Sequence, residues 1–241
     1  MRLEDHPTVK RYREKSEAAA PKIEDNLDAK WLKTLVLEAG ADDVGLVAIN
    51  RPELSDYRAD IREVFPKTRT LISFVARLNS ENIRCPSQAV RDLEFLRTQK
   101  EADGIAGKVI RTLHKKGIGA LNFACGFPMD LDKWPGKMWP ISHKPIAVAA
   151  GMGHMGLNRI VLHPRFGNFI LLDTILIDRD ASAYDKPCDY NPCIDCKLCA
   201  AVCPVGAIGH DGSFQFANCM THNYRDRMGG FSDWVENIVT S

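Results

Sequence analysis

Apolar residues recur three and four apart over residues 28–38, where Trp31, Leu32, Leu35 and Val36 share one face before Gly40, and this spacing predicts a helix with a glycine stop. A short apolar run at 44–49 reads as a strand, 56–65 as a helix closed by Pro66, and 70–76 (TLISFVA) as a buried strand. The strongest helical signal spans 87–116, where Ala89, Leu93, Leu96, Ile105, Val109 and Leu113 stay near one face, with Gly117 at its end. A strand at 118–124 follows, then the broken segment GFPMDLDKWPGKMWP, a long loop of the kind that lines sites. Residues 147–150 lead into a glycine-rich turn, and 169–177 (FILLDTILI) reads as the most deeply buried strand. Interleaved helices and strands predict a mixed domain over 27–180, preceded by a polar extension (1–26) and followed by a small cysteine-rich module (181–241).

Composition narrows the class. The 241 residues are 45% hydrophobic and 26% charged, ordinary for a globular protein. Lysine plus arginine (32) nearly balances aspartate plus glutamate (31), so overall charge does not point to nucleic acid or an anionic membrane. No run approaches the roughly 18 apolar residues of a membrane span, and the start MRLEDHPTVKRYREK lacks an apolar signal core, so a cytoplasmic protein is expected.

Candidate chemistry is concentrated in the cysteines. Cys193, Cys196 and Cys199, followed by Cys203 and Pro204, form a C-x2-C-x2-C-x3-C-P run, the pattern that wraps a 4Fe-4S cubane and directs its fourth cysteine to a second cluster. Zinc is the rival, but zinc sites favour separated C-x2-C pairs or histidine partners. The run needs a further ligand. Cys219 and, more weakly, Cys188 are the nearby thiols; either one completes a single cluster, or a longer native chain carries two. Cys85 and Cys125 are expected to be buried small hydrophobes.

Two stretches together carry a resemblance. AAGMGHMGLNRIVLHPRFGNFILLDTILID, followed by the cysteine run and ANCM at Cys219, resembles the family of epoxyqueuosine reductases and corrinoid reductive dehalogenases. Its glycine segment matches Ala150, Gly151, Met152, Gly153 and Gly156, and its P-x-x-G motif matches Pro164 and Gly167. The resemblance implies a nitroreductase-like α+β domain that binds cobalamin and a ferredoxin-like module that delivers electrons to it. The implied cofactor-binding residues are Ala150, Gly151, Met152, Gly153, His154, Met155, Gly156, Leu157, Asn158, Pro164 and Gly167. Glycine has no Cβ, so a bulky ring could approach backbone N–H groups; a tight connection with positive φ explains the same glycines without a cofactor. The aspartate that serves epoxyqueuosine reductases as proton donor has no counterpart in KMWPISHKPIAVAAG, nor does the dehalogenases' tyrosine, which leaves His143 and His154 as acid–base candidates.

Three functions compete. In the first, a cluster reduces a bound corrinoid that acts on a small electrophilic substrate, with ferredoxin or flavodoxin as electron donor; tRNA as substrate enters only through the family analogy. The second is an electron carrier without substrate chemistry. The third keeps the same domain with a flavin in place of cobalamin.

Overall fold

The computed structural model describes residues 2–18, 26–126, 139–194, 196–224 and 238–240. In chain order the helices are α1 (Pro7–Ala18), α2 (Ala29–Ala39), α3 (Arg58–Val64), α4 (Ser80–Arg84), α5 (Gln88–Lys115), α6 (His143–Ala149), α7 (Leu198–Ala201) and α8 (Phe216–Tyr224). The strands are β1 (Asn26–Leu27), β2 (Asp43–Ala48), β3 (Thr70–Arg77), β4 (Ala120–Asn122), β5 (His154–Met155), β6 (Val161–Leu162), β7 (Ile170–Ile177) and β8 (Asp180–Ala181). Most of the proline- and tryptophan-rich loop expected between β4 and α6 lies outside the described residues.

A four-stranded sheet of order β2-β3-β7-β4, antiparallel throughout, forms the centre. One face packs on α2 and α5, where Leu32, Val36, Ile105, Val109 and Leu113 meet Leu46, Ile72, Phe74, Ile175 and Ile177. The other packs on α3 and α6, where Ile61, Ile146 and Ala147 meet Val47, Leu71, Val75 and Leu176. Both faces are covered, which is why β3 and β7 read as mostly apolar runs rather than as alternating strands. Each fully buried leucine or isoleucine here contributes about 1.5–3 kcal/mol.

Local signals explain the element ends. Asp28 caps α2 by accepting the Trp31 N–H, and Gly40 closes it with φ +121°. Asn79 caps α4 in the same way, and buried Glu94 of α5 accepts the Asn79 N–H at 2.7 Å and the Asn82 amide at 2.9 Å, fastening α4 to α5. Two expectations shift: the strand expected over 118–124 shrinks to Ala120–Asn122, and residues 7–18 of the polar extension form α1. Cys85 and Cys125 are half-buried rather than fully enclosed.

After β7 the chain stays on the body. β8 pairs in parallel with β1, and the Asp185 carboxylate accepts the Leu46 N–H at 2.8 Å and binds Lys33 at 2.6 Å. This anchor sets the starting point of the cysteine module. No helix among the described residues is long and apolar enough to cross a membrane.

Candidate functional site

The glycine segment is a turn that reverses the chain out of α6. Gly151 (φ +78°) and Gly153 (φ +150°) take conformations that side-chain-bearing residues rarely adopt, and they deliver the chain into the β5–β6 hairpin. Their missing side chains make room for the protein itself. A Cβ at Gly151 would lie 2.5 Å from the Lys186 carbonyl oxygen, one at Gly153 2.3 Å from that of Leu162, and one at Gly156 2.6 Å from Asn158 Oδ1. A tight connection therefore accounts for Gly151 and Gly153, where backbone stands in the way of a side chain. Ala150 and Met152 are buried under the sheet, and Gly45 of β2 lets the Ala150 carbonyl lie against it.

Pro164 and Gly167 belong to a second turn, closed by reciprocal His163 and Gly167 backbone hydrogen bonds of 2.8 Å. That turn is pinned to β2. Buried His163 donates from Nε2 to Asp43 Oδ2 at 3.1 Å, its Nδ1 accepts the Arg165 N–H at 3.1 Å, and the Arg165 guanidinium reaches the same Asp43 oxygen at 2.8 Å. Burial alone would raise the Asp43 carboxyl, but hydrogen bonds from His163, the Val44 amide and Arg165 overcome it and hold it at about 2. The sequence reading missed His163, Arg165 and Asp43 as a unit, because the aspartate lies more than a hundred residues upstream.

In the cysteine module, Lys197 adopts a left-handed φ of +53° and starts α7, so that Cys196 and Cys199 flank a sharp bend. Cys193 and Cys196 are exposed, and Cys199 and Cys203 are half-buried. The loop after α7 folds around Cys203: its Sγ accepts the Ala207 N–H at 3.2 Å, and the N–H groups of Val205, Ile208, Ala207 and Gly206 draw the thiol below its ordinary value, Val205 most. Backbone N–H groups aimed at sulfur are what a cluster-bound thiolate uses to disperse charge. Among the described residues no three His, Cys, Asp or Glu side chains are gathered as a ready metal-binding group. The donor chemistry nonetheless fits a cubane, with three thiols at the spacing that wraps one cluster and N–H donors on the Cys203 sulfur that follows them. Cys219, on α8, accepts the Asn223 amide at 3.4 Å and is electrostatically coupled to Lys144 of α6; Cys188 is half-buried.

Hairpin and cysteine loop meet at a cavity of about 290 Å³ lined by His154, Met155, Gly156, Leu157, Arg159, Cys193 and Gly212. Arg159 holds the two together, donating to the Gly212 carbonyl at 2.7 Å and lying 5.5 Å over the Phe214 ring, while Lys144 donates to the Arg159 carbonyl at 2.7 Å. Of the eleven residues expected at a cofactor, His154, Met155, Gly156 and Leu157 line this cavity; Ala150, Gly151, Met152, Gly153, Asn158, Pro164 and Gly167 do not. The volume lies at the lower end for a drug-sized ligand, so the described residues would receive an edge or tail of a corrinoid and do not enclose the whole.

The two candidate histidines part company. His154 faces the cavity beside Cys193. His143, at the start of α6, is nearly buried and stacks on Phe123 with ring centroids 4.4 Å apart; burial pushes it down to about 4, so the ring is neutral at physiological pH.

Residues 189–209 match the family model for a 4Fe-4S binding domain. Over 167 residues the chain is 25% identical to the epoxyqueuosine reductase of Gloeobacter violaceus, an alignment that covers 69% of this chain and 49% of that one. The chain is thus similar in sequence to epoxyqueuosine reductases and carries a 4Fe-4S binding segment. Solved structures agree on the fold. An epoxyqueuosine reductase crystallised with an epoxyqueuosine-modified tRNA stem loop superposes with a TM-score of 0.54 at 17% identity, covering 77% of this chain and 54% of that one. A reductive dehalogenase described in terms of B12-dependent dehalogenation superposes with a TM-score of 0.57 at 18% identity, covering 74% and 25%. The chain spans half or less of the length of these curated relatives, so the family's mixed helix-and-sheet body and its cluster module are common ground here, and activity is a separate question.

Proposed function

We propose that this chain is an iron–sulfur reductase in which a 4Fe-4S cluster held by Cys193, Cys196 and Cys199 passes electrons across the cavity at His154–Arg159 to a corrinoid serving an electrophilic substrate. The observation that carries this reading is the shared cavity: the segment matched to the family's cofactor motif and the first cysteine of the cluster run line the same space. Cys219 or Cys188 supplies the remaining thiolate, or a further cysteine run does so in a longer native chain, and Cys203 is directed away from this cluster. A corrinoid bound there would supply a reducible cobalt; the chain's own part is to hold the cluster thiolates and keep the hairpin fixed against them through Arg159.

The tRNA-bound relative makes a modified tRNA base the first substrate to try, and a reductive dehalogenase solved with 3-bromo-4-hydroxybenzoic acid makes a bromophenol of that kind the second. The test uses protein purified without oxygen. Iron, sulfide and corrinoid are quantified, hydroxocobalamin is titrated, and turnover with reduced methyl viologen is assayed on an epoxyqueuosine stem loop and on a bromophenol. Cluster content with corrinoid binding and turnover of either substrate supports the reading. A reducible cluster with no corrinoid affinity replaces it with an electron carrier, and released flavin replaces it with a flavin reductase.

A further inference from the structure

β4 pairs with β7 only as far as Asn122 opposite Ile175. Beyond that point Phe123 and Ala124 leave the sheet, and the stretch of β7 at Asp173 and Thr174 is closed by the His143 ring instead. Nε2 of that ring lies 3.3 Å from the Ala124 carbonyl and so carries the hydrogen; Nδ1, 3.0 Å from Thr174 Oγ1, accepts the hydroxyl proton. Asp173 Oδ1 stands 3.9 Å from the same Nδ1 and accepts the Thr174 N–H at 2.6 Å.

Asp173 is fully buried, and its Oδ2 makes no hydrogen bond of good geometry, although the Asn122 side chain acts on the carboxyl group as a donor; Ser73 Oγ, the side chain across from Thr174, is likewise unpartnered. The groups that face Asp173 are Asp103 of α5, Asn122 of β4, Cys125 beyond β4 and His143 of α6. Among the described residues none of its neighbours is a lysine or arginine, and His143 is its one partner within ion-pair distance. A buried carboxylate facing a second aspartate and no fixed cation is expensive enough that it takes up a proton. Burial indeed pushes Asp173 well above the carboxylate range, as it pushes the Cys125 thiol up to about 12.

We propose that Asp173 and His143 form a buried proton relay, in which Asp173 stores the proton and positions the ring, and His143 is the donor to a substrate bound over residues 123–126. In the step, the Oδ2 proton reaches Nδ1 after rotation of the carboxyl group, the Thr174 hydroxyl turns from donor to acceptor, and the Nε2 proton leaves toward the substrate. One proton enters the ring and one leaves it; no electron moves, and the cycle closes when solvent reprotonates Nε2 and Nδ1 returns its proton to Asp173, which restores the starting tautomer and the protonated acid. This supplies an acid where the stretch KMWPISHKPIAVAAG offers no aspartate, and it rests on the reductase reading for its substrate.

The test compares the full chain with Asp173→Asn and His143→Gln. The parent at pH 7 should show the infrared carbonyl band of a buried protonated carboxylic acid, absent in Asp173→Asn and shifted in His143→Gln. With either substrate turned over, Asp173→Asn should lose about 100-fold in kcat at unchanged KM and iron content, with an enlarged solvent isotope effect. Full kcat in Asp173→Asn overturns the relay, as does absence of the band in folded parent, whatever the turnover. A parent that shows the band, with its shift in His143→Gln, yet reduces neither substrate supports the acid–ring pair and counts against the reductase reading alone.

Discussion

Replacing Gly153 by alanine should damage folding before it damages any cofactor site. At φ +150° the backbone sits where a residue with a Cβ is strained by about 1–3 kcal/mol. The added methyl would also stand 2.3 Å from the Leu162 carbonyl oxygen, 2.9 Å from its carbon and 3.1 Å from Val161 Cγ1, all on the partner strand of the hairpin. Overpacking against such groups costs about 1–3 kcal/mol more, so the expected loss is ~4 kcal/mol, a large share of the roughly 5–15 kcal/mol that holds a domain together. Urea unfolding followed by far-ultraviolet circular dichroism on anaerobic protein reads this as a midpoint lowered by about 1 M or more. Gly104→Ala is the control: exposed on α5 with nothing within 4 Å of the new methyl, it should stabilise by ~0.5–1 kcal/mol. Should Gly153→Ala unfold within ~1 kcal/mol of the parent, the hairpin tolerates the methyl and the account of this glycine is wrong.

Cys196→Ser should remove most of the roughly four iron and four sulfide per cluster, measured chemically; where a single cluster is completed within this sequence, Cys219→Ser or Cys188→Ser should come close to it and Cys203→Ser should be milder, and stoichiometric zinc without labile sulfide would refute the cluster. The Asp43 carboxyl is a depressed acid, so its contribution is present above its ordinary value of about 3.9 and is lost as pH falls toward 2. Discounted for its partial exposure the contribution is ~1–2 kcal/mol, and the stability gap between parent and Asp43→Asn should narrow from pH 7 to pH 3; a gap independent of pH contradicts the assignment. Cys125, pushed up to about 12, should resist iodoacetamide at pH 8 in folded protein, as mass spectrometry of the peptide would report; rapid alkylation there would show the thiol to be less enclosed than described.

Much of this protein could be read from local pattern. The helix at 88–115, the strands at 70–77 and 170–177 and the ends at Gly40 and Gly117 follow from apolar spacing and backbone stops that act within a few residues, and the cysteine run declares its chemistry by spacing alone. Local pattern stopped where distant segments had to meet. Nothing within 118–124 says that pairing ends at Asn122, because that end depends on where Phe123 and His143 come to rest against β7. Pro164 and Gly167 read as a cofactor motif until Asp43, from another strand, made their turn a structural clamp. Asp173 is the sharpest case: inside FILLDTILI it passes as one polar residue in a buried strand, and only the order and register of the sheet put it opposite α5, short of cover from β4 and beside an imidazole. Spacing along a chain sets which residues share a face, but the dielectric and partners of a buried charge belong to whatever the fold brings against that face.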